Sequence, residues 1–203
     1  MDDILLVGAG GHARSCIDVI EESAKFNIIG LVDYDEKKSL NGYPVIGNDE
    51  DLPILREKCS FAFITVGQIK TALKRKELFD RLLELNFIIP KIISPRAHLS
   101  KTSSIGQGSI VMHDVIINAN VKVGKNCILN SKSLIEHDTK IKDHCHISTG
   151  AIINGNVYVN SGSFIGSGSV IKNDVTIGKE CIIGMGANIK SNILDKSLVK
   201  VEE

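Results

Sequence analysis

The stretch LIEHDTKIKDHCHI, residues 134–147, concentrates the side chains best suited to moving a proton. His137 lies between Glu136 and Asp138, so one carboxylate can orient a ring nitrogen while the other nitrogen takes a proton from a substrate. Either acid could serve. His144 and His146 follow, and His113 before Asp114 forms a second acid-flanked histidine in the preceding sequence. Near the amino terminus, GAGGHA sets Gly8, Gly10 and Ala13 on the pattern G-x-G-x-x-G/A, with Gly11 and His12 inside it. Glycines at this spacing let backbone N–H groups approach a phosphate at the start of a helix. The five cysteines, at 16, 59, 127, 145 and 181, are odd in number and show no C-x-x-C spacing. They read as reduced structural thiols, and no metal site is expected. No serine or cysteine is recognisably paired with a base, which points to direct group transfer without a covalent enzyme intermediate.

Two kinds of element must position these groups. From Leu99 to Ile189 an aliphatic residue returns at every sixth position without a slip, and a small or β-branched residue follows four positions later, as at Ser109, Val115, Val121, Cys127, Ser133 and Thr139. A short strand, a turn and one inward side chain per six residues is the signature of a hexapeptide parallel β-helix. The first ninety residues are different. ILLVGAGGHARSCIDVIEES reads as a buried strand, a glycine turn and a helix; IIGLVD is a second strand ending at Asp33, where an acid could bond a ribose hydroxyl. FAFITVG is a third strand closing on Gly67, KTALKRKELFDRLLEL an amphipathic helix, and FIIPKII a fourth strand before the linker SPRAH. The expected organisation is a Rossmann-like α/β domain over residues 1–95 and an all-β domain over 96–203. A structural turn, a dinucleotide site and a nucleotide-sugar diphosphate site all remain open for the glycine motif. Roughly ninety residues are too few for both halves of a dinucleotide fold, which favours the nucleotide sugar.

Composition narrows the partners. Lys and Arg number 24 and Asp and Glu 24, so no net charge draws the chain to nucleic acid or an anionic membrane. MDDILLVGAG carries acid where a secretion signal carries base, and no apolar run reaches the length of a membrane span; the expected location is cytoplasmic.

The hexads IGQGSI, VGKNCI, IGSGSV, IGKECI and IGMGAN resemble those of hexapeptide-repeat acyltransferases, whose β-helix is left-handed, with three hexads per triangular coil. Together with GAGGHA, LVDYD, FITVG, VIINANV, ILNSKSLIEHD and CHISTGAIINGNV, they make nearly the whole chain resemble the NeuD/PglD-type sugar acetyltransferases. The resemblance implies an enzyme that moves acetyl from acetyl-CoA to a sugar, commonly the C4 amine of a nucleotide-linked 4-amino-4,6-dideoxy sugar. It also implies a homotrimer with acetyl-CoA between neighbouring helices. A sialic-acid-type O-acetyltransferase and a binding protein without catalysis are the alternatives.

By this resemblance His137 is the general base, Asp138 its paired acid, and Gly155, one coil on, the amide that meets the thioester oxygen. His146 falls near the thioester, with a solvated or trimer-contact role as the alternative, and Gly166, Ser167, Gly184 and Met185 line the pantetheine arm unless their glycines are simply hexad turns. His12, with Gly8, Gly10, Gly11, Asp33, Asp35 and Gly67, falls at the sugar nucleotide. His113 does not match the family motif, and His144 reads as a surface residue. The ending ILDKSLVKVEE departs from the family's G-x-P-A-K-like finish.

Overall fold

The computed structural model describes residues 1–35 and 39–201. The amino-terminal part contains β1 (Asp2–Val7), α1 (Gly11–Ser23), β2 (Phe26–Val32), β3 (Ser39–Leu40), β4 (Tyr43–Gly47), α2 (Leu52–Lys58), β5 (Phe61–Ile64) and α3 (Leu73–Glu84). Among the described residues the sheet order is β3-β4-β2-β1-β5, with β1 between β2 and β5 and parallel to both. Ile4, Leu5, Leu6 and Val7 are all buried, as a strand covered on both faces requires. Helix α1 turns Ala13, Cys16, Ile17 and Ile20 into the core and ends at Ala24 in the left-handed region, φ 51°.

The run 87–93, read from the sequence as one strand of this domain, is divided. Ile88 bridges Phe61 at the edge of the amino-terminal sheet, whereas Ile92–Ile93 pairs with Ile110–Val111 as the first rung of the β-helix. Pro90 lies between them and can donate no ladder hydrogen bond.

From there each strand is two residues long, and its partner lies 18 residues away, as in Ile116↔Leu134 and Leu134↔Ile152. Three parallel sheets result, closing a left-handed prism. The turns explain the period. A positive φ recurs at every sixth residue from Gly108 to Gly186, falling mostly on Gly, Asn and Asp, which tolerate the left-handed region best. The second residue of each strand points inward, and Ile117, Ile135, Ile153 and Ile171 stack in the core. Ser109, Cys127, Cys145, Ser163 and Cys181 form an inner column, their Oγ or Sγ groups donating to carbonyls such as Gly124 O and Asn160 O. Burial pushes the Cys16 thiol up to about 12. The last coil is shortened: Ile193 bridges Ile177 and Leu198 pairs with Ile182.

The prism presents three faces of different chemistry. One, the docked face, carries Ile110, Ile128 and His146 outward, and the amino-terminal domain buries all three. The polar face carries Ser104, Lys122, Lys140, Tyr158 and Thr176. The apolar face carries Ile116, Leu134, Ile152 and Val170, of which Ile116 is 42% exposed. No helix among the described residues is long and apolar enough to cross a membrane.

Candidate active site

His137 follows the apolar-face strand Leu134–Ile135 and precedes the polar-face strand Lys140–Ile141, so it stands at the corner between those faces. Its Nδ1 lies 2.8 Å from Asp138 Oδ2. Asp138 is the left-handed residue of this turn, φ 61°, which brings its carboxylate round beside the ring of the preceding residue. Glu136 is engaged elsewhere, accepting from Asn118 Nδ2 at 2.8 Å. Between the two flanking acids, Asp138 therefore orients the imidazole. The hydrogen bond from His137, then one from Asn120 Nδ2 at 3.2 Å, holds the Asp138 carboxyl below its usual range.

The repeat places Gly155 one coil above. A methyl group on Gly155 would stand 2.7 Å from both Nε2 and Cε1 of His137 and 3.2 Å from Nδ2 of Asn173, so only glycine leaves the imidazole room to lie across this backbone. Among the described residues the Gly155 N–H has no acceptor, while its carbonyl accepts from Asp174 N–H. His137 remains 58% exposed in its side chain. An exposed imidazole with a carboxylate on one nitrogen and an unengaged amide one coil away is an arrangement that can act as a base beside an oxyanion donor.

The second acid-flanked histidine is built otherwise. His113 occupies the corner between the docked and apolar faces, its Nε2 2.8 Å from Asp18 of α1 and its Nδ1 near Ser94 Oγ and Glu22. Asp114 turns away to a bidentate pair with Arg96. This histidine fastens the two domains together.

The glycine turn lies at the carboxyl edge of the amino-terminal sheet. Gly8, φ 111°, lies so close to Val66 that a side chain would clash, whereas methyl groups on Gly10 or Gly11 would meet nothing within 4 Å. Among the described residues no side chain caps the amino terminus of α1, where Gly10 and Gly11 are exposed and the Ala13 N–H donates to Gly10 O. Asp33 Oδ2 accepts from Ala9 N–H at 2.7 Å and so braces the turn, while Asp35 is exposed just beyond β2. Gly67 lies over His12, 3.4 Å separating a Gly67 methyl from the His12 Cβ.

His146 joins this group from the β-helix. It is 6% exposed, not solvated, and its ring centroid is 6.5 Å from that of His12. Its Nδ1 donates to Gln68 O at 2.6 Å, which leaves the lone pair on Nε2; among the described residues the buried Nε2 atoms of His12 and His146 have no partner. Burial, with Arg75 and His146 adding to it, holds His12 down at about 3. Burial likewise lowers His146 to about 4, against the opposing bond to Gln68. Both rings are neutral at physiological pH.

His144, read as a surface residue, is instead half-buried at the domain junction, where Asn126 Nδ2 meets its Nδ1 at 3.0 Å and Phe79 packs against its ring edge-on. The junction contains residues without a motif of their own. Arg75 is buried in α3 and donates to Ile64 O, Val66 O and Asn126 Oδ1, while Gln68 Nε2 donates to His144 O. Arg75 lies in a helix rich in charge, and nothing in that pattern singles it out. Asn126 had a signal, as an amide at a hexad corner.

Gly166, Ser167, Gly184 and Met185 fall at the corner between the docked and apolar faces, away from His137. A side chain on Gly166 would strike the backbone of Gly184 and Met185, so its absence is demanded by coil stacking. The Gly166 and Gly184 N–H groups are already donated, to Ile183 O and Val199 O. Ser167 and Met185 are exposed.

Comparison with known proteins follows the same division. The PglD N-terminal domain family matches residues 3–82, and the bacterial transferase hexapeptide family, six repeats, matches residues 138–173 and 156–191. Among solved structures, PerB from Caulobacter crescentus in complex with CoA and GDP-perosamine is 30% identical with a TM-score of 0.92, over 98% of this chain and 93% of that one. A mutant of perosamine N-acetyltransferase from the same organism, with the same two ligands, is 29% identical with a TM-score of 0.93 and the same coverage. The acetyltransferase domain of PglB from Neisseria gonorrhoeae, in complex with acetyl coenzyme A, is 28% identical with a TM-score of 0.88, over 97% of this chain and 94% of that one.

Proposed function

The chain belongs to the NeuD/PglD-type family of hexapeptide-repeat sugar acetyltransferases, and from that premise we propose that it moves an acetyl group from acetyl-CoA to the C4 amine of a nucleotide-linked 4-amino-4,6-dideoxy sugar. The observation that carries the reading is the seat of His137, held by Asp138 on one nitrogen and lying with the other against Gly155.

With Nδ1–H donated to the Asp138 carboxylate, Nε2 holds the lone pair and takes the proton of the attacking amine. Asp138 stays ionised and stabilises the imidazolium that forms. Acetyl-CoA supplies the activated acyl group as a thioester, and coenzyme A leaves as the thiol. The Gly155 N–H faces the negative charge that develops on the thioester oxygen. The glycine turn receives the diphosphate of the sugar nucleotide, where Gly10 and Gly11 leave open space at the start of α1. That the Caulobacter enzyme was solved with GDP-perosamine and CoA supports this choice of partners.

The site is assembled between subunits of a cyclic trimer. The amino-terminal domain covers one face and grips both corners beside it, through His113 and through His144 and Asn126. His137 occupies the remaining corner, on the far side of the prism from His12. The base of one subunit therefore works beside the glycine turn of the next.

The test is thiol release from acetyl-CoA with GDP-perosamine and a panel of UDP-, dTDP- and GDP-linked 4-amino-4,6-dideoxy sugars. One amino sugar should support turnover, and His137→Ala should lower it about 10²- to 10⁴-fold with the melting temperature preserved. Silence with every amine, or turnover with a hydroxyl acceptor alone, would overturn the N-acetyl assignment.

A further inference from the structure

We infer that a cavity at the corner between the docked and polar faces binds a phosphate group, carried by free phosphate or by a small ester, apart from the site around His137. The cavity has a volume of about 280 Å³ and lies where the start of α3 meets the β-helix. Lys70, Lys76 and Lys196 line it together with His144 and Gly162, and among the described residues Glu180 is the one carboxylate in its wall. Glu180 lies 4.0 Å from Lys196, whereas among the described residues no carboxylate pairs with Lys70 or Lys76. The wall therefore carries unneutralised ammonium groups.

Behind the lysines lies a buried cation. Arg75 is 1% exposed, and among the described residues its guanidinium has no carboxylate partner and its Nε no partner at all. A guanidinium taken out of water without a counter-charge is costly, and carbonyl oxygens offset only part of that cost. Arg75 donates to Asn126 Oδ1 at 2.7 Å, and Asn126 Nδ2 donates to His144 Nδ1 at 3.0 Å. An amide nitrogen only donates, so Nδ1 is the acceptor and the neutral ring keeps its proton on Nε2. Burial holds His144 below its usual range, with Lys76 and Arg75 adding to it and Asp143 and Asp80 opposing it. Asp143 is itself turned to the Lys125 N–H. The chain of hydrogen bonds is thus polarised in one direction, from the guanidinium through the amide to a ring that lines the cavity with one N–H left to give. An anion there supplies the counter-charge that Arg75 lacks, and its oxygens meet the ring N–H and the lysines.

Gln68 separates the cavity from the glycine turn. It is 3% exposed, its Nε2 donates to His144 O on one side, and its carbonyl accepts from His146 Nδ1 on the other. His137 stands at a different corner of the prism.

Histidine-ring NMR on the full chain tests this, since the six histidines report from separate places. Titration with inorganic phosphate should shift the His144 ring resonances to saturation with the Nε2–H tautomer retained. Lys70→Gln/Lys76→Gln should weaken that binding about 10-fold and leave the melting temperature unchanged, because both side chains are exposed. Glycerol 3-phosphate separates the two sources: tighter binding than inorganic phosphate identifies an ester as the ligand, and equal or weaker binding identifies free phosphate. Acetate at the same ionic strength is the control. A His144 that stays still with phosphate, moves as far with acetate, or titrates alike in the double variant would overturn the site. Movement of His12 or His137 alone would do the same, by placing the phosphate at the glycine turn or beside the base.

Discussion

At the scale of single residues, the same dipeptide has two fates. His113-Asp114 and His137-Asp138 share a dipeptide and a left-handed aspartate, yet only His137 keeps its acid as a partner and an exposed ring. The corner on which each stands makes the difference. One faces the acids of α1, the other faces outward with a glycine one coil above. Gly155 is therefore the sharpest residue to change. Its φ lies outside the left-handed region, so alanine strains no backbone there, but the added methyl meets the imidazole at 2.7 Å and must displace it. Gly155→Ala is expected to lower kcat about 10²-fold with a melting temperature close to wild type, measured by steady-state kinetics beside a thermal melt. Undiminished turnover would show that the position of the ring over this glycine is immaterial.

At the scale of elements, the junction between α1, α3, the loop after β5 and the docked face is held by polar groups, and among the described residues Arg75 has no carboxylate partner. Backbone carbonyls and Asn126 carry its charge. Burial beside that charge holds His12 at about 3 and His146 at about 4, below their ordinary value of 6.5. The unfolded chain therefore takes up protons first as the pH falls below about 6.5, and folding loses stability from there down to the folded values. Each ring contributes a loss of about 2 kcal/mol by pH 5, at about 1.4 kcal/mol per pH unit. Denaturant melts of wild type should weaken between pH 7 and pH 5, and His146→Gln should reduce that slope by about one proton's worth. A slope unchanged in the variant would remove His146 from the account.

At the scale of the whole molecule, the three faces divide the work. One is consumed by the amino-terminal domain, one is polar, and one leaves a stripe of Ile116, Leu134, Ile152 and Val170 partly uncovered. An apolar face beside the His137 corner is the surface at which the proposed trimer would pack. Sedimentation of wild type should give about three times the chain mass of 22.0 kDa. Ile152→Asp should sediment as a folded monomer and lose turnover about 10²-fold or more, because the base is then parted from the glycine turn of its neighbour. A fully active monomer would place the whole site within one chain.

By itself the sequence determined the six-residue strand repeat and the small α/β domain, while the three-hexad coil that stacks Gly155 over His137 came with the family resemblance. A six-residue period registers directly as stacked strands, and a glycine fingerprint as a strand, turn and helix. Three things were decided only in three dimensions. Asp138 rather than Glu136 holds the ring, because one turn residue is left-handed and the other acid meets Asn118 on the coil below. His144 and His146 are drawn into the junction, because the domain docks on the face that carries them. The apolar run 87–93 is divided between two sheets, Ile88 joining Phe61 and Ile92–Ile93 joining Ile110–Val111. A repeat specifies what stacks upon what within one prism. Which face a second domain covers depends on shape and charge matched between segments far apart in the chain, and a local pattern carries no record of it.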